Sequence, residues 1–186
     1  MQSTLVLNHL DLYIGTYKRY QKKWLKMYKV IDDYLSTEDH LVLKEVLESN
    51  NFPWYFQKRS VNLKDKNKFD FHFGHNFYLN DNITSDYFKI LNPIIEKLKV
   101  NSLIRIKGNL NIVTFKPFNS KPHKDQPFDC KVALYYLNTN NGYTIINNEK
   151  VNSIKNRIVL FDSSVKHYGV TCTDELMRIV INFNYV

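Results

Sequence analysis

The feature that most constrains this chain is the spacing of its β-rich runs. Residues 101–186 contain LIRIKGNLNIVTF, KVALYYLN, GYTIIN, RIVLFD and LMRIVINFNYV, separated by Asn, Gly, Pro and Asp. Short runs rich in β-branched and aromatic residues, bounded by turn formers, read as strands. Strands repeated at this interval build a sandwich or jelly roll.

Residues 28–100 are mixed. YKVID is a short strand, and Ser36 is placed to cap a helix through TEDHLVLKEVLES, whose acidic first turn suits the helix dipole. FPWYFQ is extended after Pro53, and FDFHFGHNFYL alternates as a strand does. TSDYFKILNPIIEKLKV reads as a second helix that Pro93 bends or splits. The expected fold class is α+β: a double-stranded β-helix (jelly roll) core over about 101–186, with the preceding helices packed on one sheet.

The 186 residues suffice for one well-cored domain, here 28–186, and 44% hydrophobic content argues against disorder. Residues 1–27 form an N-terminal extension. Tyr13, Tyr17, Tyr20 and Trp24 recur there at helical spacing among Lys18, Arg19, Lys22, Lys23 and Lys26. Such a helix binds a membrane surface or nucleic acid, or lays its aromatic stripe on the barrel; the last is preferred. Met27 is an alternative translation start. No run of 18 apolar residues is present, so no membrane span is expected. Cys130 and Cys172 lack zinc-like spacing, and with no secretory signal in the N-terminal stretch they point to a reduced, cytoplasmic protein. The net charge is +8, but 21 of the 26 cations are lysines. A solvated lysine surface is therefore preferred to a nucleic-acid partner.

The chemistry is concentrated in KPHKDQPF. His123 and Asp125 are two apart just before a strand, so an extended backbone aims both at one point. His167 follows in FDSSVKHYGV, and Arg178 opens the final strand. There Arg178, Val180 and Asn182 share one face, and Ile179, Ile181 and Phe183 the other. An inward Arg on so apolar a strand needs an anionic partner. Two imidazoles and one carboxylate leave three octahedral positions of a metal open, the ligand set of non-haem Fe(II) oxygenases.

His123-Lys124-Asp125, His167 and Arg178, in this order, resemble the His-x-Asp…His…Arg signature of the iron(II)- and 2-oxoglutarate-dependent dioxygenases. The YYLNTNNG run, Asn156-Arg157 before IVLFD, and RIVINFNY resemble the prolyl-4-hydroxylase-like branch, in the small form found in bacteria and phages. The resemblance is close over the C-terminal half and looser over YKVIDDYLS, FPWYF and RIKGNL. It implies Fe(II) held by His123, Asp125 and His167, with 2-oxoglutarate and O2 as cosubstrates and ascorbate as a stimulant. It implies that Arg178 pairs with the distal carboxylate of 2-oxoglutarate, and that Tyr136 and Asn111 also reach the cosubstrate. Tyr136 reads equally well as a core aromatic, and Asn109 and Asn182 are supporting candidates. The activity implied is hydroxylation of a C–H bond, with a protein prolyl residue as first guess for the substrate, in the cytoplasm of a bacterium or a phage-infected host. Relatives often carry a Gly-Gly-Thr-like turn where this chain has Gly142-Tyr143-Thr144, which puts the loop beside the substrate mouth in question.

Two other readings stay open: a cupin-like metal enzyme without 2-oxoglutarate, and a non-catalytic jelly roll that binds nucleic acid or glycan. Of the remaining histidines, His72 and His75 point to opposite strand faces and are structural or on the substrate side. His75 to Tyr78 are candidates for the entrance, and His9 and His40 read as surface or capping residues. Oligomeric state is not legible.

Overall fold

A computed structural model describes residues 27–58 and 71–186. The aromatic helix expected over 1–27, and His9 with it, lies outside the described residues except for Met27.

The chain runs β1 (Tyr28–Ile31), α1 (Thr37–Leu47), β2 (Tyr55–Lys58), β3 (Phe71–Leu79) and β4 (Asn82–Ile83). A 3-10 turn (Phe88–Leu91) and α2 (Asn92–Leu98) follow. Then come β5 (Leu103–Ile112), β6 (Lys131–Tyr136), β7 (Tyr143–Ile146), β8 (Glu149–Asn152), β9 (Arg157–Asp162), β10 (His167–Val170) and β11 (Met177–Tyr185). A major sheet has the order β1-β9-β6-β11-β5-β3-β2, with β4 on β3, and a minor sheet has the order β10-β7-β8. Every named pairing is antiparallel.

The alternation of β6 and β11 explains how the layers close. Val132, Leu134, Tyr136 and Val180 enter a cluster with Ile146 and Val151 of the minor sheet. Ala133, Tyr135, Ile179, Ile181 and Phe183 enter a second cluster with Leu43 and Leu47 of α1 and Ile94 of α2. The major sheet is thus covered on both faces, by the minor sheet and by helices. Each fully buried Leu or Ile contributes about 1.5–3 kcal/mol by leaving water. The result is a jelly roll.

Ser36 caps α1, its hydroxyl accepting from Asp39 N at 3.1 Å. Pro93 sits in the first turn of α2, where no intrahelical donor is needed, so the expected second helix is split into a 3-10 turn and a short α-helix. The C-terminal region contains two strands beyond those expected, β8 and β10. EKVN buries one residue and HYGV mixes His and Gly with one aromatic, so neither carries a hydrophobic signal. Asn147 (φ 48°) and Asn148 (φ 66°) supply the left-handed turn that links β7 to β8.

His40 is not a surface residue. It is buried on α1, with Nδ1 2.7 Å from Tyr135 Oη, which in turn donates to Asn156 Oδ1 at 3.0 Å. Asn156 (φ 58°) also accepts from Leu35 N at 2.8 Å and donates to Leu35 O at 2.9 Å. Arg157 grips Asp32 through Nε at 2.5 Å and Nη2 at 2.9 Å. The Asn156-Arg157 pair therefore ties the β1–α1 connection to β9.

Candidate metal centre

The loop before β6 runs alongside β10. Ser120 N donates to Gly169 O at 2.9 Å, and His123 and His167 form a β-bridge. In that bridge His123 N donates to His167 O, and His167 N to His123 O, each at 3.0 Å. The two histidines are thus placed opposite each other by backbone alone, with ring centroids 4.6 Å apart. Asp125 follows, its carboxylate 3.8 Å from His123 Nε2 and 3.7 Å from His167 Nε2. One ligand atom from each of the three lies within 4.8 Å of the others.

The donor chemistry fits a divalent metal. His123 Nδ1 lies 3.0 Å from Lys121 O, and His167 Nδ1 lies 3.3 Å from Val165 O. A carbonyl only accepts, so each Nδ1 carries the proton and each Nε2 presents its lone pair beside Asp125. Burial holds His167 below the ordinary imidazole pKa against the opposing pull of Asp125, which keeps the ring neutral. Burial also works to raise the Asp125 carboxyl, but His167, Asn182, Arg105 and Asn184 outweigh it and hold the group below its ordinary value. Asn182 Nδ2 and Asn184 Nδ2 donate to Asp125 Oδ2 at 2.9 and 3.2 Å, and Arg105 Nη2 reaches Oδ1 at 3.2 Å. The result is an oriented carboxylate flanked by two imidazole Nε2 atoms, with the His167 ring held neutral by burial.

A cavity of about 500 Å³ opens over these groups. Its inner end is Arg178, 3% exposed. Nε donates to Ser153 Oγ at 2.7 Å, and Nη2 to Thr144 Oγ1 at 2.8 Å. The guanidinium carbon lies 5.5 Å from the centre of the Tyr136 ring. Tyr136 Oη donates to the same Thr144 oxygen at 2.8 Å. No acidic side chain pairs with Arg178 among the described residues. Burial pulls its pKa down from the ordinary value. A buried cation with hydroxyl partners alone, facing a cavity, is built to receive an anion.

Asn111 lies opposite Arg178 in the β5–β11 register and lines the cavity, as do Asn109 and Asn182. Of the loop flagged in sequence, Thr144 is retained as the hydroxyl shared by Arg178 and Tyr136. Gly142 is required by close approach: a Cβ there would lie 2.7 Å from Arg178 Cδ and 2.9 Å from Val170 O.

No family model matches the sequence, and no curated protein matches it. Solved structures do. A prolyl hydroxylase from Trichoplax adhaerens, in complex with a hypoxia inducible factor oxygen degradation domain peptide, superposes with a TM-score of 0.60 at 15% identity, over 87% of this chain and 84% of that one. A 2OG-Fe(II) oxygenase family oxidoreductase from Burkholderia pseudomallei gives 0.63 at 9% identity, over 85% and 84%. The viral collagen prolyl hydroxylase of Paramecium Bursaria Chlorella virus-1 gives 0.52 at 11% identity, over 87% and 91%. The fold is that of the 2-oxoglutarate- and iron(II)-dependent oxygenases.

Within this oxygenase fold, His123, Asp125, His167, Arg178 and Asn111 converge on one cavity, while Tyr136 stands beside Arg178 with its hydroxyl given to Thr144. His75 is not at the entrance. It is 5% exposed, packed 4.5 Å from Phe52 and 4.7 Å from Phe77, with Nδ1 2.7 Å from Pro53 O and Nε2 2.7 Å from Ser85 Oγ. His72, on the opposite strand face, lines the cavity instead. Sequence reasoning missed Arg105, Thr144, Ser153 and Asn184. Asn184 was legible, since it lies two residues beyond Asn182 on the same strand face; Ser153 follows β8, a strand with no hydrophobic signal.

Proposed function

We propose that the protein is an Fe(II)- and 2-oxoglutarate-dependent dioxygenase that hydroxylates a C–H bond of an organic substrate. The observation that carries this reading is the pairing, in one cavity, of the His123/Asp125/His167 ligand set with a buried Arg178 that lacks an acidic partner among the described residues. When bound, the iron supplies the oxidation: substrate C–H, 2-oxoglutarate and O2 become substrate C–OH, succinate and CO2.

The chain supplies position. His123, Asp125 and His167 would hold the metal beneath the cavity that opens over them. Arg178 takes the distal carboxylate of 2-oxoglutarate through charge-assisted hydrogen bonds. Ser153 and Thr144 fix the guanidinium, so the cosubstrate meets an anchor that does not have to be ordered first. Thr144 Oγ1 accepts from both Arg178 and Tyr136, which turns its own proton outward as a further donor to that carboxylate. Tyr136 acts through this hydroxyl, and Asn111 lines the same end. Ascorbate stimulates by keeping the metal reduced. A prolyl residue of a protein is the substrate the resemblance suggests first, and one domain, residues 28–186, carries the activity in the cytoplasm. The cupin-like alternative leaves Arg178 with no anion to bind.

The test is an anaerobic titration of Fe(II) with and without 2-oxoglutarate, followed by visible absorption. A weak charge-transfer band that needs both components, and is lost in His167→Ala, is the expected result. Tight iron binding with no band overturns the 2-oxoglutarate assignment, and no iron binding overturns the enzyme.

A further inference from the structure

Beyond its metal ligands and Arg178, the cavity has a wall of one sign. Lys58, Arg105, Lys107, Lys121 and Lys124 line it, and Asp125 is its one acid among the described residues. Asp125 is already committed to the metal site. The cations come from opposite sides: Lys58 on β2 and Lys107 on β5, Lys121 and Lys124 on the loop that carries His123. Lys107 is held in place, its ammonium donating to Gln57 Oε1 at 2.6 Å and to His72 Nε2 at 3.3 Å. Arg105 has a buried Nε with no hydrogen-bond partner, although its Nη2 reaches Asp125.

Cations that converge on a concave site focus a positive potential where the substrate must lie. No Phe, Tyr or Trp lines the cavity among the described residues, and its apolar side chains are Leu134 and Val180. The charge surrounds a cavity of about 500 Å³, with Arg105 and Lys107 on its half-buried wall and Lys58, Lys121 and Lys124 at its exposed rim, a concave arrangement that suits a small molecule.

We propose that the primary substrate is a small anionic molecule, carrying a carboxylate or phosphate group that Lys107, Lys124 and their neighbours bind while Leu134 and Val180 cover its reacting carbon. The proposal rests on the dioxygenase reading for the chemistry, but the anion site itself does not require iron.

The experiment therefore has a binding arm and a turnover arm. Inorganic phosphate is titrated calorimetrically into the metal-free full chain, its Lys107→Gln/Lys124→Gln variant, and a Lys29→Gln/Lys89→Gln control with the same change in charge outside the cavity. Arg178 is unchanged in all three, so its share cancels. Binding about tenfold weaker in the cavity variant alone is expected. Equal binding in all three overturns the proposal. If the cavity variant fails to fold, Lys58→Gln/Lys124→Gln, both at exposed positions, replaces it.

In the turnover arm, succinate formation by the Fe(II)-loaded enzyme is followed with aspartate against asparagine and phosphoserine against serine, and with a neutral prolyl peptide. Stimulation by the acidic member of a pair supports the proposal, and which pair responds separates carboxylate from phosphate. Stimulation by the neutral peptide alone overturns the proposal and leaves the dioxygenase reading standing. Phosphate binding weakened in the cavity variant, with no succinate under any condition, supports the anion site alone, and the Fe(II) titration decides the dioxygenase reading.

Discussion

His123 and His167 face each other across a two-hydrogen-bond β-bridge, each backbone N–H 3.0 Å from the other's carbonyl. The pairing is made by main chain, so it does not depend on the imidazoles. His123→Ala should leave the fold intact, because the His123 side chain is 50% exposed, and should cost under about 1 kcal/mol in thermal unfolding. Metal binding should be lost. The two are separated by melting the variant with and without Zn(II) or Fe(II): the wild type should gain stability with metal, and the variant should not.

Asp125 depends on side chains instead. Asn182 and Asn184 both donate to its Oδ2 and hold it toward the histidines. Asn184→Leu should lower metal affinity by about 10–100-fold, the usual effect of removing a partner that orients a ligand. Metal-binding titration without cosubstrate checks this, and an unchanged affinity would remove Asn184 from that role.

The legibility of the site follows from which interactions set each residue. His123 and Asp125 could be paired because strand periodicity and donor chemistry act on positions two apart, whereas His167 and Arg178, far along the chain, were joined to them through the family signature. The inward faces of β6 and β11 were readable by the same periodicity. Ser153 and Thr144 were not, because their role comes from where β7 and β8 bring them relative to Arg178, and β8 has almost no apolar signal. His40 read as a surface residue because its buried partner, Tyr135, is 95 positions away in sequence.

Stability should fall on mild acidification. Burial is the main cause that lowers the pKa of His40, and of His75, from the ordinary 6.5. The unfolded chain therefore binds protons that the folded one resists, between 6.5 and the lower folded values. Stability contributed by the neutral rings is complete above about pH 6.5 and is lost as pH falls through that window. In the metal-free protein His167 adds to the same slope. The melting temperature measured from pH 8 to 5 should drop below about pH 6.5, and His40→Gln should flatten part of the drop.

Asn156 has a double requirement. Its φ of 58° favours Gly or Asn, and its amide bonds Leu35 twice and Tyr135 once. Asn156→Gly keeps the backbone but removes all three bonds, leaving buried groups on Leu35 without a partner. A loss of about 2–4 kcal/mol in denaturant unfolding is expected. A loss below about 1 kcal/mol, the range of a Gly substitution alone, would mean that the backbone conformation and not the amide is what matters.

Gly142 separates cosubstrate binding from metal binding. A Cβ at this position meets Arg178 Cδ at 2.7 Å, Asn140 Oδ1 at 2.8 Å and Val170 O at 2.9 Å. Val170 O is backbone on β10, paired to β7, and cannot move away cheaply. The side chains that can yield are Asn140 and Arg178, and Arg178 would be pushed off Ser153 and Thr144. Gly142→Ala should therefore raise the KM for 2-oxoglutarate by about tenfold or more, through a misplaced anchor, while Zn(II) affinity at His123, Asp125 and His167 stays at the wild-type value. Thr144→Val should give the same pattern without the steric cause, by removing the oxygen that Arg178 and Tyr136 share. If metal affinity fell in parallel with cosubstrate affinity in both variants, the damage would be to the minor sheet as a whole, and Arg178 would lose its assignment as a separate anchor.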